Sequence, residues 1–244
     1  MNLIRFLWVG LFLQCGIVLS NPFESGEWDP YRLKNHAHVL SFSTDRLILR
    51  PVTSKNFQHL FEEGKKLFSQ DQVLAYWGGS RTDTDENTTK WEGFLTRCLH
   101  RQEAGLLSWK AVYLKETKTF LGFVGGNRYV DARDTHTSYN GAIEIAYAFH
   151  PEGWGKGYAT EALRGFLSFD VGRLENYSYV FATVHPENTP SIKVLKDKAG
   201  LHAWTLDQDI PAFLKRENRQ FYKIDKDELL SKKLPRVKAV SFRV

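Results

Sequence analysis

The chain has 244 residues, of which 42% are hydrophobic and 14% aromatic, so it can bury one substantial core and has little room for two. Its formal net charge of +5 is a small excess, and no stripe of lysine and arginine with interleaved aromatic residues occurs. The composition therefore predicts one globular domain with terminal extensions and argues against nucleic acid as a partner.

The first 20 residues differ in character from the rest of the chain. Arg5 is followed by a short apolar run that ends in Val18-Leu19-Ser20, which is the pattern of a secretory signal peptide. The run is short for a transmembrane helix and Gln14 interrupts it, so we expect no stable membrane span. A start codon assigned too far upstream and a helix that lies on a membrane surface are the alternatives for residues 1–20.

The remainder of the chain divides into a linker, a domain and a tail. Residues 21–40 are polar and irregular, with Pro22, Gly26 and Pro30, and we interpret them as a linker. The domain is expected over residues 41–225. The C-terminal segment 226–244, in which basic side chains outnumber acidic ones, is expected to form a solvated tail.

Hydrophobic periodicity predicts the first elements of the domain. In chain order, they are a strand over 46–51, a helix that Ser54 caps and that runs to Leu67, a helix over 89–102, and a hairpin of strands over 109–114 and 120–129. A polar loop is expected over 131–139.

The residues from Gly141 to Ala162 carry the most informative pattern in the chain. An alternating apolar strand ends at Phe149, a turn with Gly155 and Gly157 follows, and a helix comes next. Glycines before a helix let an anion approach backbone N–H groups where the helix dipole is positive. The pattern therefore predicts a cofactor site at this strand, turn and helix.

The last elements complete the predicted domain. We expect a strand over 179–184, a helix over 190–198 that Gly200 closes, and strands over 201–206 and 220–224. The mixture of single strands, a hairpin and intervening helices predicts an α/β fold with a mixed sheet.

Four segments then resemble a known family in their residues, order and approximate spacing. They are Thr44–Arg50, Phe120–Gly126, Trp154–Ala162 and His185–Ser191. Across residues 41–225 they resemble the Gcn5-related N-acetyltransferase (GNAT) superfamily, in particular its RimJ/RimL-like branch. The resemblance implies a mixed, mostly antiparallel sheet flanked by helices, with the cofactor site at the central strand, turn and helix. It also implies transfer of an acetyl group from acetyl-CoA to an amine.

By this resemblance, backbone amides of the turn bind the pyrophosphate of acetyl-CoA. The residues expected at the cofactor are Tyr147, Phe149, Trp154, Gly155, Lys156, Gly157, Tyr158, Ala159, Thr160, Asn188 and Ser191. Trp154 stands where the family usually has arginine or glutamine, but backbone donors should still hold the phosphates. No metal is expected, because no cluster of histidine and cysteine has the spacing of metal ligands.

Glu144 is the candidate general base. It shares a strand face with Ala146 and Ala148, whose small side chains leave a groove for the pantetheine arm of the cofactor. A carboxylate at this position can accept a proton from the attacking amine, directly or through water. The alternative is a structural glutamate that pairs with an arginine in the sheet.

The resemblance also assigns roles near the next helix. It implies that Asn188 bonds the pantetheine arm and that Ser191 lies near the cofactor sulfur, which makes Ser191 a catalytic candidate. The alternative is that both residues cap a helix, which their types alone would justify. Leu195 occupies the position where many relatives have a tyrosine general acid. Protonation of the leaving group must then come from Ser191, water or another residue.

Trp77 is a candidate substrate residue, because it stands where the first helices of the family wall the acceptor site. The alternative is an aromatic residue of the core. Glu144 is also a candidate for contact with the acceptor.

The acceptor amine is predicted from its pKa. An α-amino group with a pKa of about 7.8 is about one-seventh neutral at pH 7, whereas lysine at about 10.4 is neutral only about once in 2,500. A single carboxylate base therefore suits a protein N-terminal α-amine or a small-molecule amine. A CoA-binding or regulatory module without catalysis is the alternative, because Leu195 and the run 201–206 depart from the family pattern.

The expected location follows from the cofactor and from cysteine usage. Removal of residues 1–20 would leave Cys98 as the single cysteine, so no intrachain disulfide could form. Acetyl-CoA is chiefly an intracellular metabolite, and chains without disulfides fit a reducing compartment. Both arguments favour a cytoplasmic active form, in conflict with the signal-like N-terminus.

Overall fold

A computed structural model describes residues 40–77, 84–129, 141–174, 177–205, 218–235 and 237–240. In these residues the chain forms nine strands. The strands are β1 (Ser41–Ser43), β2 (Leu47–Pro51), β3 (Trp109–Leu114), β4 (Phe120–Tyr129), β5 (Ala142–Phe149), β6 (Tyr179–Val184), β7 (His202–Trp204), β8 (Gln220–Asp225) and β9 (Lys238–Val240).

All nine strands belong to one sheet, in the order β7-β8-β6-β5-β4-β3-β2-β1-β9. Neighbouring strands are antiparallel throughout, except for β5 and β6, which are parallel. The predicted mixed, mostly antiparallel sheet is therefore confirmed.

The helices cover both faces of this sheet. They are α1 (Phe57–Leu67), α2 (Asp71–Trp77), α3 (Asp85–Glu103), α4 (Tyr158–Phe169), α5 (Thr189–Lys193) and α6 (Lys226–Ser231). None of the helices in the described part of the chain is long and apolar enough to cross a bilayer.

Strand alternation divides the core into two hydrophobic clusters. On β5, Ile143, Ile145 and Phe149 belong to the cluster that contains α4, whereas Ala148 belongs to the cluster that contains α1 and α3. Successive side chains of a strand point to opposite faces, so β5 contributes to both clusters and lies at the centre of the molecule.

Three predicted helix ends differ from the structure. Helix α3, predicted from residue 89, begins at Asp85, after Thr84 as its N-cap. Ser54 does not cap α1, because the helix begins at Phe57 and Asn56 precedes it. The side chain of Asn56 accepts from Thr53 N at 2.7 Å and donates to Pro51 O at 2.9 Å, which closes the turn before the helix. The helix predicted over 190–198 is α-helical only to Lys193, and a π-turn over Val194–Lys198 continues it.

The residues predicted as a basic tail also differ from the expectation, since they carry α6 and β9. Leu229 of α6 is fully buried, and β9 pairs with β1 through Ser41↔Val240 and Ser43↔Lys238. This segment has eight charged and eight apolar residues, and the charges concealed the apolar residues that pack against the core. The predicted signal segment, almost all of the linker and the loop over 131–139 lie outside the described residues.

Helix α1 packs closely on α3 at Gly64. A Cβ at this position would lie 1.9 Å from Cζ2 of Trp91. Trp91 is only 2% exposed and its Nε1 donates to Phe61 O at 3.0 Å, so the ring has little freedom to move.

We expect Gly64→Ala to lower the free energy of unfolding by about 1–3 kcal/mol through overpacking. Gly93→Ala, in α3, is the matched control, because its added Cβ would meet only Nη1 of Arg97 at 3.5 Å. This control should raise the free energy of unfolding by up to about 1 kcal/mol, since alanine favours helix. Urea unfolding of both variants measures the difference, and effects of the same sign would contradict the packing argument.

Candidate active site

The central feature of the site is the separation of β5 from β6. The two strands pair from Ala142↔Tyr179 to Glu144↔Phe181, and no ladder pair joins them beyond this point in the described chain. Strand β5 stays on β4 as far as Phe149, while β6 stays on β8 as far as Val184. We call the resulting gap the split. Along the split, β5 has a neighbouring strand on one side only. The backbone groups on its other edge can therefore form hydrogen bonds with an extended ligand.

At the far end of β5, the chain makes the predicted glycine turn, Trp154–Gly157. Gly155 and Gly157 have φ of +71° and +77°, a left-handed backbone that residues with a Cβ rarely adopt. Helix α4 begins directly after Gly157, and no side chain caps its first N–H groups. A Cβ at Gly155 would meet no atom within 4 Å, so the turn borders open space. Uncapped N–H groups beside open space fit a phosphate.

Trp154 connects this turn to the end of β5. Its Nε1 donates to Phe149 O at 2.8 Å, although the residue is 47% exposed. This hydrogen bond holds the turn against the end of β5. The indole is uncharged, so Trp154 provides no ion pair for a phosphate.

Arg46 and Glu161 are part of the site and were missed by the sequence analysis. Nε of Arg46 lies 2.7 Å from Oε2 of Glu161, and its Nη1 donates to Lys156 O at 3.0 Å. Oε1 of the same glutamate accepts from Arg46 N at 2.8 Å and from Thr44 Oγ1 at 2.6 Å. This network joins the start of β2 to the turn and to α4. Its only signal in the sequence was the resemblance of Thr44–Arg50 to a family segment.

Tyr147 and Ser191 face each other across the split. The Tyr147 hydroxyl lies 2.7 Å from Ser191 Oγ, and it donates to Ser191 O at 3.3 Å. Burial raises the pKa of the Tyr147 phenol well above its ordinary value, so the hydroxyl stays protonated at neutral pH. The structure thus brings together a residue of β5 and one of α5 that the sequence analysis named separately.

Asn188 and Leu195 are the other two residues of this segment that the sequence analysis singled out. Asn188 Oδ1 accepts from Ser191 N at 3.2 Å, so Asn188 caps α5, and its bond to the pantetheine arm stays a prediction. Leu195 is only 2% exposed and packs in the core. The hydroxyls of Tyr147 and Ser191 meet at the split, 2.7 Å apart.

Glu144 lies at the closed end of the split. It is 6% exposed and occupies the last position at which β5 pairs with β6. Its face of β5 is the face of Ala146 and Ala148, which pack toward α1 and α3. Between Glu144 and Phe149, at about 3.3 Å per residue, β5 spans about 16 Å.

Helix α2 lies over this region, and the sequence analysis did not predict it. The ring of Trp77 packs on Trp109 with centroids 6.1 Å apart, and the ring of Tyr76 lies 5.4 Å from that of His185. In the sheet register, Trp109 of β3 lies opposite Gly125 of β4, and Gly125 lies opposite Ala146 of β5. Ala146 is two residues from Glu144, on the same face of β5. The structure therefore places Trp77 in a wall of aromatic residues on the face of the sheet that carries Glu144.

The other predicted cofactor residues occupy the turn and the first turn of α4. They are Lys156, Tyr158, Ala159 and Thr160. Their contact with a cofactor remains a prediction. The described residues contain no group of three or more histidine, cysteine, aspartate or glutamate residues that could hold a metal ion.

Comparison with known proteins then identifies the family. The sequence profile described as acetyltransferase (GNAT) domain matches residues 46–202. The chain belongs to this family. GNAT domains use acetyl-CoA, and the open turn and the split fit the phosphate and the extended arm of this co-substrate.

Proteins similar to this GNAT protein include the following relative and two solved structures. An uncharacterized N-acetyltransferase of Bacillus licheniformis, p20, is 39% identical over 90 residues, which cover 35% of this chain and 43% of p20. RimJ of Mycobacterium smegmatis, solved with CoA-disulfide, has a TM-score of 0.54 at 20% identity, covering 79% of this chain and 90% of its own. The ribosomal-protein-S5-alanine acetyltransferase of Vibrio fischeri has a TM-score of 0.56 at 17% identity, covering 78% and 98%. The structural likenesses show the fold.

The pH dependence of stability tests the network around Glu161. Burial acts to raise the pKa of this carboxyl, but hydrogen bonds from Thr44 and Arg46 outweigh burial and hold the pKa below its ordinary value. The stability gained from the carboxylate is therefore complete above about pH 4.3 and is lost as the pH falls through the lowered pKa.

We expect the difference in free energy of unfolding between wild type and Glu161→Gln to be largest near pH 7. It should shrink steadily below about pH 4, where the wild-type carboxyl also becomes neutral. Urea unfolding at a series of pH values measures this difference. A difference that does not depend on pH would show that the charge of Glu161 is not stabilising.

Proposed function

We propose that this GNAT protein transfers the acetyl group of acetyl-CoA to a primary amine, and that a protein N-terminal α-amine is its preferred acceptor. The observation that carries the proposal is the arrangement along β5. A turn suited to phosphate lies at one end of this strand, and the buried Glu144 lies at the other, at the closed end of the split. Acetyl-CoA supplies an activated acetyl thioester when it is bound.

In this proposal, Glu144 accepts the proton of the attacking amine. Glu144 is only 6% exposed, and it shares its face of β5 with Ala146 and Ala148, on the side of the sheet that carries the aromatic residues of α2. Direct attack needs one base and no covalent intermediate on the enzyme. Backbone N–H groups of β5 near Tyr147 to Phe149 are the proposed donors to the oxygen that becomes negative during attack.

The hydroxyls of Tyr147 on β5 and Ser191 on α5 provide hydrogen-bond donors where the two residues meet at the split. An ordinary tyrosine has a pKa of about 10 and a thiol about 8.5, so a complete proton transfer from the phenol to a leaving sulfur is unfavourable. Because burial raises the pKa of Tyr147 further, the pair acts by donating hydrogen bonds to the developing charge.

The preference for an α-amine follows from proton availability. About one-seventh of such groups are already neutral at pH 7, so a single carboxylate is a sufficient base. The similar protein of Vibrio fischeri is a ribosomal-protein-S5-alanine acetyltransferase. This similarity supports a protein N-terminus as acceptor, and a small-molecule amine is the competing outcome.

A panel of acceptors tests the function. We expect peptides with a free N-terminus to gain one acetyl group by mass spectrometry, with release of CoA in equal amount. Matched peptides with a blocked N-terminus and an internal lysine should remain unmodified, because lysine is almost entirely charged at pH 7. If only small amines are acetylated, the proposed protein acceptor is wrong and a small-molecule amine is the substrate.

The second candidate is a CoA-binding module without catalysis, which the burial of Leu195 at the usual general-acid position favours. In that case, CoA binds with measurable affinity and no amine in the panel is acetylated.

Glu144→Gln tests the role of the base. We expect kcat to fall by about 10²–10⁴-fold, while the affinity for CoA stays unchanged. The residual rate should rise with pH as the free amine becomes available. Glu116→Gln, an exposed glutamate in the turn between β3 and β4, is the control and should leave kcat unchanged. A variant at Glu144 with the wild-type pH profile would remove this residue from the mechanism.

A further inference from the structure

The guanidinium group of Arg46 uses two of its three nitrogens in contacts with the described part of the chain. Its Nε pairs with Glu161 at 2.7 Å and its Nη1 donates to Lys156 O at 3.0 Å. Within the described residues, Nη2 has no hydrogen-bond partner. Two of the three nitrogens thus fix the orientation of the group, and the third keeps its donors available.

This third nitrogen lies at the glycine turn. A Cβ at Gly157 would be 3.4 Å from Nη2 of Arg46, and α4 begins at the next residue without a side-chain cap. The guanidinium also lies over the ring of Tyr158, with Cζ 4.8 Å from the centroid, and the side chain remains 49% exposed. The free donor is therefore held by contacts on several sides and remains accessible to solvent.

The charges of the side chains around the glycine turn show why a donor from Arg46 matters for binding an anion there. Trp154, at the start of the turn, is uncharged. Glu161 places a carboxylate in the first turn of α4, close to the N–H groups that suit an anion. Such a carboxylate would repel a phosphate. Its ion pair with Arg46 neutralises this charge and leaves a donor directed at the same place.

We propose that Arg46 is a cofactor-binding residue, whose Nη2 donates a hydrogen bond to the pyrophosphate of CoA at the glycine turn. The proposal rests on the use of acetyl-CoA in the proposed function. It assigns the positive charge of the phosphate site to a residue of the loop between β1 and β2, about 110 positions before the turn. Arginine suits this role because its planar fork binds a carboxylate and a phosphate at the same time.

Calorimetric binding of three ligands to wild type and Arg46→Gln tests the proposal. The ligands are CoA, 3′-dephospho-CoA, which keeps the pyrophosphate, and pantetheine, which lacks it. We expect the variant to bind both nucleotide ligands about tenfold or more weakly and to bind pantetheine unchanged. The salt dependence of CoA affinity should also decrease. Arg46→Lys, which keeps the charge, should recover part of the affinity.

Two further variants separate binding from structure. Arg164→Gln is the matched control, because Arg164 of α4 donates to Lys233 O at 3.0 Å, outside the network around the turn. It should leave all three affinities unchanged. Glu161→Gln removes one anchor of the guanidinium but keeps the arginine and its bond to Lys156 O, so CoA affinity should fall less than in Arg46→Gln. A decrease as large as that of Arg46→Gln would show that the network only maintains the shape of the turn and would overturn the proposal.

The ligand series also decides the remaining outcomes. Equal weakening of CoA and pantetheine in Arg46→Gln would indicate a structural role and overturn the proposal. Weakening for CoA alone would move the contact to the 3′-phosphate and overturn the assignment to the pyrophosphate. Because these measurements are of binding, a wild-type protein that binds CoA and acetylates no amine overturns the proposed function and leaves this inference intact.

Discussion

The separation of β5 from β6 beyond Glu144 is the constraint on which the rest of the structure depends. A strand in the middle of a sheet normally satisfies its backbone groups on both sides. Here β5 does so with β4 along its whole length and with β6 only at its beginning. The open edge is compatible with a stable fold because β5 is held by large apolar side chains on one face and by the close packing of small ones on the other.

The glycine turn is fixed by contacts from outside it. The indole N–H of Trp154 donates to Phe149 O at the end of β5. Arg46, just before β2, donates to Lys156 O and pairs with Glu161. Loops with left-handed glycines are intrinsically variable in conformation. Contacts from two separate strands reduce that freedom before any ligand binds, which lowers the entropy lost on binding.

The sequence predicted features that depend on nearby residues. The hairpin of β3 and β4 agrees with its predicted bounds, and Gly200 adopts the left-handed backbone expected after a helix. Strand β5 and the turn after it were also predicted, because alternation and glycine position are local signals. Helix α2 and strand β1 were missed, because seven and three residues are too few for a periodic pattern.

The contacts of the site were beyond sequence reasoning, for a different reason. Arg46 meets Glu161 across 115 positions, and Tyr147 meets Ser191 across 44. No spacing rule connects such pairs. The family resemblance named Ser191 and the turn, but it did not indicate which charge would compensate Glu161 or which hydroxyl would face Ser191.

The pairing of β9 with β1 has a consequence for the limits of the domain. The last described strand covers the edge of the first, so the two ends of the fold are joined by backbone hydrogen bonds. A chain shortened to residue 225 would leave the N–H and C=O groups around Phe42 unpaired. An uncovered edge strand is a template for pairing with another molecule. Strand β9 therefore replaces β1 as the edge of the sheet, and Lys238 places a charge on this new edge.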